Sequence, residues 1–326
     1  MTLLSVVIPL HNEAPNLDAL FARLTAVLER TAMDWEIVCV DDGSSDDTLA
    51  RLRAEHLRET RLRVVGLSRN FGKEIAVAAG MRFARGDAVV LMDGDLQHPP
   101  ELIEAFLARW REGYAMVYAQ RRDRSTESKR RRWAAAAYYR LFARLSEVTL
   151  PGGAGDFRLF DRKVVEVFNS FGERTRFNKG LYAWLGFRHI GVPFDVSERN
   201  AGSTSWSVAR LARFAIDGLM AFTTLPLRVW SYVGVLISLG AVGYGGFFLV
   251  KTLVLGIDVP GYPSLIVAIM SFAGIQLISL GIIGEYLAQM VTEVKRRPLF
   301  VVSELHGFDA AARPTDAAVQ RIDAAQ

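Results

Sequence analysis

Residues 89–100 read Val-Val-Leu-Met-Asp-Gly-Asp-Leu-Gln-His-Pro-Pro. The apolar residues predict a short buried strand, and the two prolines predict the end of a turn and the start of a helix. Asp93 and Asp95 lie one residue apart in that turn, and Gly94 leaves room for a ligand to approach the backbone. Because hard oxygen ligands suit Mg²⁺ or Mn²⁺, we predict a metal site that carries a diphosphate. The alternative for so short a string is an Asp-Gly turn with solvated carboxylates.

The regions around this stretch alternate between strand and helix patterns up to about residue 120. Residues 4–10, 35–41, 62–67, 88–92 and 116–119 predict strands, and residues 15–30, 46–56, 73–84 and 100–112 predict helices. This alternation predicts an α/β fold whose mostly parallel sheet is covered by helices on both faces. Ligands of such sheets bind at the carboxyl ends of the strands, where residues 12–13, 41–42 and 93–95 fall. We therefore expect these three clusters to meet at one edge.

The composition allows several classes of anionic partner. The chain has 326 residues, a formal net charge of +4 and 51% hydrophobic residues, which is high for a purely soluble enzyme. The charge permits nucleotide sugars, phospholipid surfaces or nucleic acid as partners and does not choose among them. Cys39 is the single cysteine, so an internal disulfide is excluded and a reducing cytoplasmic setting fits. We interpret residues 3–10 as a first strand and not as a signal peptide.

Two uncharged runs near the C-terminus predict membrane spans, at about residues 230–251 and 262–285. The turn between them is nearly neutral and both outer flanks are basic, so the positive-inside rule places both termini in the cytoplasm. The expected location is therefore the inner (plasma) membrane, with a multi-pass chain. The alternative is a buried apolar core of a soluble protein.

Two further segments predict helices that lie in the membrane interface. A basic cluster at residues 121–132 leads into an aromatic, amphipathic helix at 129–145, and arginines interrupt apolar residues at 207–228. A solvated basic loop followed by a core helix is the alternative for the first segment. The basic residues adjoin apolar spans, which disfavours nucleic acid as the partner. The tail after residue 308 is rich in Ala, Asp and Gln and predicts disorder.

Several motifs, taken together and in order, resemble the family-2 glycosyltransferases of the GT-A fold. They are the motifs at residues 7–13, 40–48, 68–73, 79–80 and 93–99. Later motifs narrow the resemblance to polyprenyl-phosphate glycosyltransferases, a group that includes dolichol-phosphate mannose synthases and bacterial undecaprenyl-phosphate glycosyltransferases. These are residues 118–124, 155–162, 199–202 and 293–298, so the resemblance covers the chain to about residue 302.

The resemblance implies a set of site residues. On the donor side, Pro9, Asn12, Glu13 and Asp41 would line the nucleotide pocket, and Asp93, Asp95 and Gln97 would hold the metal and the diphosphate. For the acceptor, Arg121 with Lys129 or Arg131 would bind the lipid phosphate, and Arg199 would contact donor or acceptor phosphate. Lys73 either contacts phosphate or begins a helix in solvent.

Asp156 is the candidate for a general base or for a carboxylate that orients the acceptor. The acceptor is a phosphate monoester that is already anionic near neutral pH, so a base is not required, and Asp156 could instead pair with Arg158 or another basic side chain. Direct displacement at the anomeric carbon would invert its configuration without a covalent enzyme intermediate.

The expected protein is a metal-dependent transferase of one sugar from a UDP- or GDP-linked donor to a polyprenyl phosphate such as undecaprenyl phosphate. The expected domains are a cytoplasmic GT-A domain (1–206), a juxtamembrane helix (207–228), two spans (229–292) and a cytoplasmic tail (293–326). The resemblance also implies a homotetramer. The alternatives are a glycolipid or polysaccharide synthase with another acceptor, and a non-catalytic membrane scaffold.

Overall fold

The computed structural model describes residues 2–121, 154–174, 176–194, 225–255, 261–308 and 319–321. The described strands are β1 (Leu3–Leu10), β2 (Asp34–Asp41), β3 (Leu62–Leu67), β4 (Ala88–Leu91), β5 (Met116–Arg121), β6 (Ala154–Asp161), β7 (His189–Phe194), β8 (Phe300–His306) and β9 (Val319–Arg321). The described helices are α1 (Leu17–Leu28), α2 (Thr48–Arg58), α3 (Lys73–Phe83), α4 (Leu102–Arg111), α5 (Arg162–Ser170), α6 (Asn178–Trp184), α7 (Leu225–Leu255) and α8 (Tyr262–Val294).

The strands form one sheet in the order β7-β5-β6-β4-β1-β2-β3-β8-β9. The central strands β4, β1, β2 and β3 are parallel neighbours. Every residue of β4 is buried, as is nearly every residue of β1 and β2, because helices cover both faces of the sheet. The predicted mostly parallel α/β architecture of the GT-A type is therefore confirmed, and the predicted strands match the observed ones to within two residues.

Four described strands after residue 121 lie outside the predicted pattern. Strand β6 inserts antiparallel between β4 and β5, β7 lies at one edge of the sheet, and β8 pairs antiparallel with β3. The chain after α8 thus returns to the sheet. Val319–Arg321 forms a short strand that pairs with β8, and disorder of the tail after residue 308 stays a prediction.

The register of the sheet brings the acidic clusters to one edge. Leu10 pairs with Asp41 at the ends of β1 and β2, and Val7 pairs with Leu91 near the end of β4. Leu91 pairs with Arg158 in the antiparallel β6. The ladder ends at this pair, and Asp93 and Asp156 each lie two residues beyond it.

Helices α7 and α8 contact each other and carry many exposed apolar side chains. Among the described residues, one helical segment, Ala268–Val294, is long and apolar enough to cross a membrane. The apolar part of α7, Tyr232–Phe247, is shorter. The structure thus supports one of the two predicted spans by length and composition, and the two-span hairpin stays a prediction. The interfacial helix predicted at 129–145 and residues 207–224 of the other lie outside the described residues.

Candidate active site

The acidic turn after β4 is fixed by local hydrogen bonds and by one buried apolar side chain. Met92 N donates to Val7 O at 3.1 Å, which keeps the turn in line with β1. Gln97 N donates to Asp95 Oδ1 at 3.1 Å, an Asx turn closed by the second carboxylate. Leu96 takes a left-handed φ of 57° while its side chain is buried in the core. Burial of Leu96 thus holds the turn in a conformation that non-glycine residues rarely adopt.

The first carboxylate of the turn joins an ion-pair cluster. Lys73 Nζ lies 2.6 Å from Asp93 Oδ1 and 2.9 Å from Asp156 Oδ2. A second ammonium, Lys179 Nζ, lies 3.3 Å from Asp156 Oδ1. Each oxygen of Asp156 therefore has its own lysine, and Lys73 bridges the carboxylate of Asp156 in β6 and that of Asp93 in the acidic turn.

These neighbours set the charge of each group. Burial acts to raise the pKa of Asp156, but the ammonium groups of Lys179 and Lys73 outweigh it and hold that pKa well below its usual range. Burial acts to lower the pKa of Lys73, and Asp93 and Asp156 outweigh it, so the pKa lies above its ordinary value. At neutral pH Lys73 is therefore an ammonium ion and Asp156 is a carboxylate.

The structure shows one of the arrangements that the sequence left open for Asp156, and a role as general base or as an orienting carboxylate stays a prediction. The arrangement is the pairing with basic side chains, and the partners are the two lysines. Arg158, which the sequence also suggested as a partner, donates from its Nε to Gly155 O at 2.9 Å, and its charge also acts to lower the pKa of Asp156.

Asp42 places Lys73 in this cluster. Its carboxylate accepts hydrogen bonds from Phe71 N at 2.7 Å and from Gly72 N at 2.9 Å, immediately before α3 begins at Lys73. Gly43 has a φ of +61°, and a side chain there would collide with the backbone of the neighbouring loop at residues 69–70. Sequence reasoning placed Asp42 at the right edge without recognising this role, although its position beside Asp41 was a usable signal.

The residues that the resemblance assigns to a nucleotide pocket lie at the ends of β1 and β2. Asp41 is fully buried, and its Oδ2 accepts a hydrogen bond from Ser44 N at 3.1 Å. Its Oδ1 is buried without a hydrogen-bond partner among the described residues. A buried carboxylate oxygen of this kind is satisfied by a ligand donor or by water. Burial also raises the pKa of Asp41.

The other predicted pocket residues surround Asp41. Asn12 has a φ of 57°, and its Oδ1 accepts a hydrogen bond from Ser45 N at 2.8 Å, which ties the end of β1 to the loop after β2. Glu13 N donates to Thr48 Oγ1 at 2.9 Å, at the start of α2. Pro9 lies in β1 beside Val40 of β2. The structure therefore brings Pro9, Asn12, Glu13 and Asp41 to one region.

The oxygen donors of the acidic turn fit a hard divalent cation. Asp93 and Asp95 supply carboxylates at the exposed edge of the sheet, which is the ligand chemistry of Mg²⁺ and Mn²⁺. The described residues contain no group of three or more His, Cys, Asp or Glu side chains suited to a metal ion. A cation here would complete its shell with diphosphate oxygens and water, as Mg²⁺ commonly does.

The predicted lipid-phosphate residues are only partly covered by the structure. Arg121 ends β5, where it pairs with Phe194 of β7. Lys129, Arg131 and Arg199 lie outside the described residues. Sequence reasoning missed Lys179, which contacts Asp156, and Glu74, which contacts α6. Neither residue belongs to a motif that indicates its contact.

Comparison with known proteins gives the family. Residues 5–168 match Glycosyl transferase family 2. The chain is 50% identical over 306 residues to a glycosyltransferase of Synechocystis, with 94% of this chain and 96% of the relative covered. It is 37% identical over 303 residues to the bactoprenol glucosyl transferase of Shigella phage SfII, with 93% and 98% covered. Mannosyl-3-phosphoglycerate synthase of Rubrobacter xylanophilus, a solved structure, is 19% identical with a TM-score of 0.47 and covers 68% of this chain and 72% of its own. The extent of the sequence matches shows that this chain is a glycosyltransferase and belongs to glycosyl transferase family 2.

Proposed function

We propose that the enzyme transfers one sugar from a nucleoside-diphosphate sugar to a polyprenyl phosphate at the cytoplasmic face of the membrane. The observation that carries the proposal is the cluster in which Lys73 joins Asp93 of the metal turn to Asp156. The relative from Shigella phage SfII is named a bactoprenol glucosyl transferase, which favours a polyprenyl phosphate as acceptor and glucose as the sugar. UDP-glucose is then the first donor to test.

On the donor side, Asp41 would accept a hydrogen bond from the nucleobase or the ribose at its unpartnered Oδ1. Asp93 and Asp95, with Gln97 beside them, would hold Mg²⁺ or Mn²⁺, which when bound neutralises the diphosphate leaving group. Lys73 adds a positive charge next to Asp93 and so supports the same leaving group.

On the acceptor side, an oxygen of the phosphate monoester attacks the anomeric carbon. The new carbon–oxygen bond forms as the bond to the nucleoside diphosphate breaks, and the diphosphate leaves with the electron pair, so the configuration inverts. The second pKa of a phosphate monoester is about 6, so the attacking oxygen is already ionised near neutral pH. We assign Asp156 the task of holding Lys73 and Lys179 in place, because a carboxylate that binds two ammonium groups is a weak base.

The acceptor chain reaches this site from the bilayer in the proposal. Helix α8 supplies an apolar segment long enough to span, and the basic residues Arg121, Lys129 and Arg131 with Arg199 would bind the lipid phosphate. The second span through α7, the cytoplasmic termini, the domain bounds and the homotetramer are parts of the same proposal. It includes no nucleic acid partner.

The decisive experiment incubates the purified full-length protein with undecaprenyl phosphate, Mn²⁺ or Mg²⁺, and radiolabelled UDP- and GDP-sugars in turn. Label that moves into the organic phase and is released by mild acid supports the proposal. Label that appears only in a diacylglycerol or in a polysaccharide, when these are supplied, would point to the alternative acceptors. No turnover with any acceptor would favour a non-catalytic scaffold.

A further inference from the structure

Two helices from distant parts of the chain each present a lysine to Asp156. Lys73 is the first residue of α3 and Lys179 is the second residue of α6. Their ammonium groups lie 2.9 Å and 3.3 Å from different oxygens of Asp156. Lysine side chains are long and flexible, so this arrangement depends on how the starts of the two helices are held relative to each other.

The helix starts are joined by two hydrogen bonds that the neighbour of one lysine, Asn178, donates to the neighbour of the other, Glu74. Asn178 N donates to Glu74 Oε2 at 2.9 Å, and Asn178 Nδ2 donates to Glu74 O at 3.0 Å. Glu74 follows Lys73, and Asn178 precedes Lys179. Asn178 is 3% exposed, so water has little access to this pair.

The bond to Asn178 N also satisfies a backbone group of α6. The first N–H groups of a helix have no partner within the helix, and the N-cap of α6, Phe177, provides no side-chain acceptor. Glu74 supplies an acceptor from α3 instead. One carboxylate therefore both caps α6 and fixes it to the helix that carries Lys73.

We infer that Glu74 is a positioning residue for the transfer reaction: through Asn178 it fixes Lys179 relative to Lys73, so that both ammonium groups reach Asp156. This role rests on the proposed function. It requires an oxygen acceptor at the reach of a glutamate side chain and does not require a negative charge. Burial raises the pKa of Glu74 to about 7, which is consistent with a role that survives loss of the charge.

Two conservative variants test separately the length and the negative charge of the Glu74 side chain. Glu74→Gln keeps the length and an oxygen acceptor but removes the charge, whereas Glu74→Asp keeps the charge but is one methylene shorter. We expect Glu74→Gln to retain kcat within about threefold. A change of that size is smaller than the loss of one typical hydrogen bond would cause. Glu74→Asp and Glu74→Ala should each lower kcat by about 10- to 100-fold, with a small change in donor KM, because a displacement of about 1 Å can cost 10²-fold.

A double-mutant cycle tests whether Glu74 acts through Lys179. Lys179→Met alone should lower kcat, and adding Glu74→Asp to it should lower kcat little further, because both changes remove the same contact. Glu104→Ala is the matched control, since Glu104 is exposed on α4 and pairs with Arg30 at the surface. That variant should behave as the wild type.

The measurements use the full-length protein in detergent, with UDP-glucose and undecaprenyl phosphate as substrates and a thermal unfolding curve for every variant. Unchanged kcat in Glu74→Asp, equal losses in Glu74→Asp and Glu74→Gln, or additive losses with Lys179→Met would overturn the inference and leave the proposed function intact. Failure of the wild type to label the lipid would overturn the proposed acceptor. In that case the same variants are compared by their rates of nucleotide-sugar hydrolysis. Glu74→Asp is again expected to lose activity and Glu74→Gln to retain it, and the absence of this difference would overturn the inference.

Discussion

Asp93 and Asp156 share one cation, because the ammonium of Lys73 lies 2.6 Å from Asp93 Oδ1 and 2.9 Å from Asp156 Oδ2. The antiparallel ladder of β4 and β6 ends at the pair Leu91 and Arg158, so Asp93 and Asp156 each lie two residues beyond it. Without a cation between them the two negative charges would repel, and one carboxylate would tend to take up a proton. Lys73 thus joins the acidic turn and the Asp156 cluster into one site.

Replacing Lys73 tests this bridge. Lys73→Met should lower the transfer rate by about 10²-fold or more, since it removes a charge that supports the leaving group. The unfolding free energy should fall by about 1–2 kcal/mol, because Lys73 is 39% exposed and Asp156 keeps its pairing with Lys179. Lys163→Met, an exposed change on α5, is the control. Wild-type rates in Lys73→Met would contradict the bridging role.

Asp95→Asn tests the metal site with the turn kept intact. The asparagine retains an oxygen that accepts the hydrogen bond from Gln97 N, so the thermal unfolding temperature should change little. Transfer should fall by about 10²-fold or more, because a divalent cation would lose a charged ligand. The rate is measured against Mn²⁺ concentration, with Asp34→Asn as an exposed control. Full activity of the wild type in excess chelator would exclude metal dependence.

Asp41→Asn tests the nucleotide pocket. The buried Oδ1 of Asp41 has no partner in the described structure, so a donor group of the nucleotide is expected to bind it. Hydrogen bonds to charged groups contribute about 1.5–3 kcal/mol, so the donor KM should rise by about 10- to 100-fold. The acceptor KM should not change. A rise in both constants would place Asp41 outside the donor pocket.

The parallel half of the sheet could be predicted because its strands are short, mostly apolar runs that polar residues follow within two positions. Strand β6 was missed because Asp156, Arg158 and Asp161 interrupt its apolar residues, so it has no continuous apolar run. Arg158 in β6 is 4% exposed. Its guanidinium lies over the rings of Tyr118 and Tyr182, at 5.5 Å and 5.1 Å from their centroids. Because this burial depends on residues distant in the sequence, no local sequence pattern indicates it. The strand becomes stable only when β4 and β5 flank it.

The sequence predicts several of the residues that lie at the site, but it does not predict which of them contact each other. The carboxyl ends of parallel strands place Asp41 and Asp93 at one edge by topology. The pairing of Lys73 with Asp156 joins residues 83 positions apart and depends on the register of β6. The roles of Asp42 and Glu74 follow from hydrogen bonds to backbone N–H groups, which sequence patterns do not encode.

The pH dependence of stability tests the environment of Glu74. Its pKa is raised by burial to about 7 from an ordinary value of 4.5, so the folded state binds a proton that the unfolded state releases between these values. This contribution to the free energy of unfolding is fully present below pH 4.5 and is lost as the pH rises through 7. The total loss is about 3 kcal/mol. Glu74→Gln lacks it. The variant should therefore gain stability relative to the wild type from pH 5 to pH 7.5, and parallel unfolding temperatures would contradict the raised pKa.

Arg174 connects the end of the candidate membrane helix to the segment that leads to α6. Arg174 N donates to Glu293 Oε1 at 2.7 Å, and its Nε donates to Arg297 O at 2.8 Å. Glu293→Ala should therefore lower stability by about 1 kcal/mol, since it removes the acceptor of a backbone N–H and one partner of a partly exposed ion pair.

Glu293→Gln is the matched variant for this contact, because it keeps an acceptor for Arg174 N and removes only the charge. The backbone bond should therefore survive, and the loss should be smaller than in Glu293→Ala. Thermal unfolding in detergent and the rate of limited proteolysis at residues 171–177 measure both changes. Equal losses in the two variants would assign the contact to charge alone. No loss in Glu293→Ala would mean that this contact does not hold α8 on the catalytic domain.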